Sequence, residues 1–145
     1  MNDHPPIEGE ERLIAHFGRW PSFHDAEVVR LAIDRRPPGG CEGPTLDLTI
    51  HAFESTREVE PDGRFRRRRH ALVRFRFNGV VDVELQGFNE QNVLFGLSIA
   101  DGPEEADGSR FEVSLYASYG LWGCFRCRRV EVAEVVQCTA EGEGL

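Results

Sequence analysis

The chain has 145 residues, of which 40% are hydrophobic and 29% charged, with a net charge of −8. A chain of this length buries roughly two thirds of its unfolded surface around one core, so residues 1–145 read as a single domain. The negative charge argues against a primary role on nucleic acid or on an anionic membrane.

All 17 basic residues are arginine, a mark of GC-rich coding, and the missing lysine excludes Schiff-base, phosphate-loop-lysine and lysine-base chemistry. Acidity is concentrated in residues 1–34 and 101–145, which makes the two ends candidates for a face that attracts basic partners. The opening residues lack a basic start and an apolar h-region, and no apolar run approaches the ~20 residues that span a bilayer. The chain is therefore expected to be cytoplasmic, with Cys41, Cys124, Cys127 and Cys138 as free thiols.

In chain order, residues 6–18 predict a helix: Pro6 suits its first position, Glu8, Glu10 and Glu11 suit its positive end, and Leu13, Ile14 and Phe17 share a face. Gly18 supplies the stop. From Asp25 the period changes, and Val29, Leu31 and Ile33 alternate with Arg30, Ala32 and Asp34 as in a strand with one face buried. Leu46, Leu48, Ile50 and Ala52 alternate with Asp47, Thr49 and His51, predicting a second, antiparallel strand. Residues 54–70 read as a long solvated hairpin tip. Its four-arginine run, Arg66 to Arg69, sits in an acidic chain with only Phe65 nearby to stack on a base, so a nucleic-acid partner is not expected.

Apolar alternation over 71–77 and 80–86 flanks Asn78-Gly79. A three-residue loop with Gly79 left-handed would pair Phe75 with Val81, Val73 with Val83 and Arg74 with Asp82, which keeps acids off the core face. Residues 87–92 break the pattern, 93–99 resume it, and 101–109 form an acidic loop. Two further strands follow. In the last, Gly123, Phe125 and Cys127 hold one parity and Val130 and Val132 the other, which predicts a bulge near Arg128-Arg129. The expected fold is α+β: an N-terminal helix packed on a twisted, mainly antiparallel sheet of about six or seven strands, largely a meander.

The densest junction is Trp20-Pro21-Ser22-Phe23-His24-Asp25-Ala26-Glu27, between the helix and the first strand. His24 beside Asp25 has the composition of a general base or metal site, but no nucleophile motif such as Gly-x-Ser-x-Gly accompanies it. The simpler reading is structural, with Ser22 and Asp25 bonding backbone groups freed at the turn and His24 in the same network. Cys124-x-x-Cys127 has the spacing of a zinc or redox pair. On a strand, residues three apart face opposite ways, and no second ligand pair exists at zinc-site spacing, so no metal is expected. Among the large aromatics, Trp20 and Phe23 border a helix end and suit the core, whereas Tyr119 and Trp122 flank a glycine turn and suit a surface.

Three elements in order resemble the immunity protein 50 family of bacterial polymorphic-toxin systems: Trp20 to Glu27, Gly87-Phe88-Asn89 with Gln91-Asn92, and Gly120 with Gly123-x-Phe125. The resemblance implies a small cytosolic binding protein, encoded beside a secreted toxin, that neutralises the cognate toxin and protects the producing cell. It implies no catalytic residues and no cofactor. Trp20, His24, Asp25, Glu27, Tyr119 and Trp122 are the expected toxin-binding residues. Two readings compete with it: a small hydrolase or metal-dependent enzyme using His24 and Asp25, and a general protein-interaction module.

Overall fold

A computed structural model of the chain describes residues 4–39 and 43–144, so Cys41 lies outside the described residues. Two left-handed glycines bracket helix α1 (Glu10–Phe17), which buries Leu13 and Phe17 and leaves Ile14 partly exposed. Gly18, at φ 80°, ends the helix as expected, its N–H bonding the Ile14 carbonyl at 2.7 Å. The start differs from the expected Pro6. The Glu8 carbonyl accepts from Val132 N–H at 2.7 Å, so the chain is extended there and turns into the helix only after Gly9 at φ 77°. A side chain at Gly9 would collide with the Val132 carbonyl, so glycine alone fits this crossing.

Among the described residues eight strands follow: β1 (Glu27–Asp34), β2 (Thr45–Val59), β3 (Phe65–Asn78), β4 (Val81–Gln86), β5 (Val93–Asp101), β6 (Phe111–Tyr119), β7 (Trp122–Cys127) and β8 (Arg129–Gln137). They form one antiparallel sheet in the order β4-β7-β6-β5-β1-β2-β3-β8. The count exceeds the expected six or seven because the last run, read as one strand with a bulge near Arg128-Arg129, is split by a bend into β7 and β8. The meander holds within β1-β2-β3 and within β5-β6-β7.

The predicted 77–79 hairpin is not formed. β3 already has a neighbour on each side, β2 and β8, so β4 finds no edge there and pairs with β7 instead. Gly79 is left-handed as expected, at φ 66°, but it bends the chain rather than reversing it. The bend is matched across the ladder. Asn78 pairs with Arg129 and Val81 with Arg126, and Arg128 N–H donates to the Asn78 carbonyl at 2.8 Å. β3–β4 and β7–β8 are thus two long strands bent side by side, and the sheet curls back on itself. Arg74 meets Glu134 at 3.3 Å and Asp47 at 3.5 Å rather than Asp82. The break falls at Arg128, where the parity change placed it: Gly123, Phe125 and Cys127 point inward before it, Val130 and Val132 after it.

β2 buries Leu46, Leu48, Ile50 and Ala52, as the alternation requires. In β1 the expected inward set is corrected. A bulge between Val28 and Arg30 turns Val28 inward with no exposure and leaves Val29 46% and Ile33 50% exposed, with Leu31 partly buried against the core. Residues 54–70 are solvated but not irregular: β2 and β3 continue as a two-stranded ribbon to a tip at residues 60–64, where Glu60 N–H bonds the Arg64 carbonyl at 2.7 Å. The core centres on Phe75 and Phe77, stacked at 6.0 Å, with Phe125 edge-on to Phe77 at 4.9 Å.

Candidate functional site

At the junction after α1 the apolar residues turn in and the polar ones turn out. Pro21 and Phe23 are buried, and Trp20 is partly buried against Phe23 and Phe75, with ring centroids at 5.9 and 6.0 Å. Phe23 (φ 59°) and Asp25 (φ 66°) are left-handed, a costly conformation for phenylalanine that the surrounding bonds hold in place. Ala26 N–H bonds the Phe23 carbonyl at 3.1 Å, and Asp25 N–H bonds the Leu94 carbonyl at 2.9 Å. The segment is a clamped turn stitched to β5.

His24 and Asp25 project from it, with side chains 54% and 43% exposed, so the expectation of a buried polar network is corrected. Only one of its bonds is present: Ser22 Oγ accepts from His24 N–H at 3.2 Å. His24 Nδ1 lies 3.1 Å from the Phe95 carbonyl, which only accepts, so Nδ1 carries the proton. Its ring stands edge-on to Phe95 at 5.3 Å, and its Nε2 lies 3.7 Å from Asp25 Oδ1. Asp25 Oδ2 faces Arg67 at 3.8 Å, whose guanidinium lies over Phe53 at 4.2 Å. The two His24 ring nitrogens thus face a carbonyl and a carboxylate, neither of which is a nucleophile that a base activates. Among the described residues no three His, Cys, Asp or Glu side chains are grouped to hold a metal.

The register brings distant candidates onto one outer surface. Glu27 pairs with His51 on one side and Val93 on the other, and Val93 pairs with Tyr119. Residues directly paired point the same way, so His51, Glu27, Val93 and Tyr119 form a row across β2, β1, β5 and β6. His51 Nε2 lies 2.9 Å from His70 Nδ1, and burial is the main cause that lowers both imidazoles below their ordinary pKa. Tyr119 is 48% exposed and donates to Glu90 at 2.9 Å, a bond that raises its phenol pKa. Trp122 is 44% exposed, with Phe88, Phe95 and Tyr116 more open still.

Asn92 holds this surface in shape. Buried to 3% exposure, its Oδ1 accepts from Asn89 N–H at 2.8 Å and Leu121 N–H at 3.0 Å, and its Nδ2 donates to the Asn89 carbonyl at 3.0 Å and the Val28 carbonyl at 3.4 Å. One side chain therefore ties β1, the 87–92 loop and the β6–β7 turn together. Gly120 has to be glycine beside it: φ is 86°, and a side chain there would collide with the Gln91 carbonyl and come within 2.6 Å of Asn92 Oδ1.

Beside the junction a cavity of about 760 Å³ opens between Arg19, Trp20, Ser22, Phe53, Glu54 and Ile99. Arg68 donates to Glu54 at 3.3 Å and holds its carboxyl below the ordinary range. Of the six residues expected from sequence, His24, Asp25, Glu27, Tyr119 and Trp122 face outward from the sheet or its junction, and Trp20 packs inward and lines this cavity. Phe95, Phe53 and Arg67 were missed. A bulge on either side of Leu94 exposes Phe95, and only tertiary folding brings Arg67 and Phe53 to Asp25.

Cys124 is exposed and Cys127 buried, as strand parity requires, and burial pushes the Cys127 thiol up to about 12. Among the described residues no helix is long and apolar enough to cross a membrane. The model of a family described as Immunity protein 50 matches residues 9–137, nearly the whole chain. No curated protein and no solved structure matches it.

Proposed function

We propose that this chain, which belongs to the immunity protein 50 family, binds and neutralises a cognate protein toxin in the cytoplasm and so protects the bacterium that makes it. The family match over residues 9–137 carries the reading. An immunity protein acts by occupying its toxin, not by turning over a substrate, and the His24 and Asp25 geometry is consistent with contact rather than catalysis. The outward row with Trp122 and the His24-Asp25-Arg67 array supplies what such a surface needs: rigid aromatics as anchors and paired charges around them. The net charge of −8 favours association with a basic toxin face.

Tight occlusion buries roughly 800 Å² on each partner and weakens with salt where charge steers it. Co-expression with the toxin encoded beside it is expected to yield one stable complex and to abolish toxin activity. A toxin that stays fully active in a molar excess of this protein rejects the reading.

A further inference from the structure

β1 is paired along its whole length on one side only. β2 accompanies it from Glu27↔His51 to Asp34↔Thr45, whereas β5 meets it at Glu27↔Val93 and then diverges. Among the described residues no strand pairs with that second side from Arg30 to Asp34, which leaves a row of backbone N–H and C=O groups as a template for another strand. Ile33, whose β2 partner Leu46 is fully buried, is itself 50% exposed beside that open side.

We propose that this edge pairs antiparallel with β1 of a second copy of the chain, about a two-fold axis through Ala32. The sequence of the edge is self-complementary in that register. Arg30 stands opposite Asp34 of the second copy, Leu31 opposite its Ile33, and Ala32 opposite Ala32; the two-fold repeats the first two pairs. Opposite charges meet on the outer face and branched apolar side chains on the inner face, both favourable cross-strand pairs. Neighbouring registers lose this. A slip of one residue sets Arg30 opposite Ile33 in one direction and opposite Arg35 in the other, and turns the two inner faces to opposite sides. The Ala32 register keeps both inner faces on one side and extends each sheet through its partner.

A charge swap tests it, because Arg30 and Asp34 are both exposed. Sedimentation equilibrium of the full chain across the micromolar range is expected to show a dimer. Arg30→Asp alone and Asp34→Arg alone each convert two attractive contacts into repulsive ones and are expected to weaken the dimer about tenfold or more. The double variant restores the pairing and returns the dissociation constant to near the parent value. Asp34 Oδ1 also accepts Arg36 N–H at 2.9 Å, so each variant is melted alongside, and Ile33→Gln, expected to weaken the dimer, replaces any charge variant that melts early. A parent that is monomeric throughout, single variants that associate like the parent, or a double variant no tighter than the singles overturns the proposal. A parent that is monomeric alone but loses toxin binding with Arg30→Asp assigns the edge to a toxin strand and overturns the second-copy reading.

Discussion

Replacing Asn92 by alanine tests whether one buried amide organises the 87–92 loop, β1 and the β6–β7 turn. The substitution removes the acceptor of two backbone N–H groups. Leu121 N–H is buried, so it is left orphaned, a loss of about 1–3 kcal/mol. Asn89 N–H is only part-buried and recovers some solvation, so it adds about 1 kcal/mol. The two donated bonds count for less, because one is long at 3.4 Å and the carbonyls left behind tolerate a single vacant lone pair better than an N–H tolerates none. The total is about 2–4 kcal/mol, which for a chain of this size lowers the melting temperature by roughly 6–12 °C. Urea unfolding measures it directly, as a lower midpoint with unchanged slope. Asn89→Ala is the control: its Oδ1 accepts Glu90 N–H in an exposed loop, and the substitution should change stability by about 0.5 kcal/mol or less. If Asn92→Ala melts with the parent, the amide does not tie these three segments together.

Three further outcomes follow from the cysteines and the partly buried histidines. In a Cys41→Ser background an aromatic disulfide reagent is expected to label Cys124 in the native protein and Cys127 only after unfolding, since burial shields that thiol and pushes its pKa up to about 12; equal rates would show that both are open to solvent in the native fold. The same opposed placement leaves no stoichiometric zinc in purified protein, to be checked by elemental analysis and by a chelator-insensitive melt. The folded pKa values of His51 and His70 lie below the ordinary 6.5, so between those values and 6.5 the unfolded chain binds more protons. Their contribution is complete above 6.5 and is lost as pH falls through the folded values. His70→Gln should flatten the decline of the urea midpoint on acidification, and an unaltered slope would assign the decline to other groups.

What could be read from sequence was local. The alternation of Leu46 to Ala52 marked an inward face because a strand repeats every two residues, and the parity change between Cys127 and Val130 marked the bend at Arg128 for the same reason. Pairing is not local. Asn78-Gly79 carries a hairpin signal, and only the presence of β8 beside β3 turns it into a bend. The bulge in β1 inverts the faces of Val28 and Val29, two valines that no pattern distinguishes. The candidate surface divides the same way: His24 and Asp25 stood out as a turn, while His51, Phe53, Phe95 and Arg67 reach it from β2, β5 and β3.

The residues that carry the family resemblance are of two kinds, and the division predicts how they respond to mutation. Phe23, Asn92, Gly120 and Gly123 hold the chain together: Phe23 fills the core, Asn92 bonds three segments, and a side chain at Gly120 or Gly123 would strike backbone. His24, Asp25 and Glu27 hold little of that scaffold. The Asp25 carboxylate makes an exposed pair with Arg67 at 3.8 Å and one with His24 at 3.7 Å, contacts that add at most about 1 kcal/mol each. Asp25→Asn with Glu27→Arg is therefore expected to melt within a few degrees of the parent, since neither carboxylate bonds a buried group and asparagine tolerates the left-handed backbone at position 25 as aspartate does. Binding to the cognate toxin should fall by tenfold or more, chiefly through slower association at low salt, because the change removes one negative charge and reverses another in the surface proposed to meet it. Stopped-flow association across a salt series separates the two effects. A variant that loses association only together with its fold would place these carboxylates in the scaffold, and one that keeps both would move the toxin-binding surface elsewhere on the sheet.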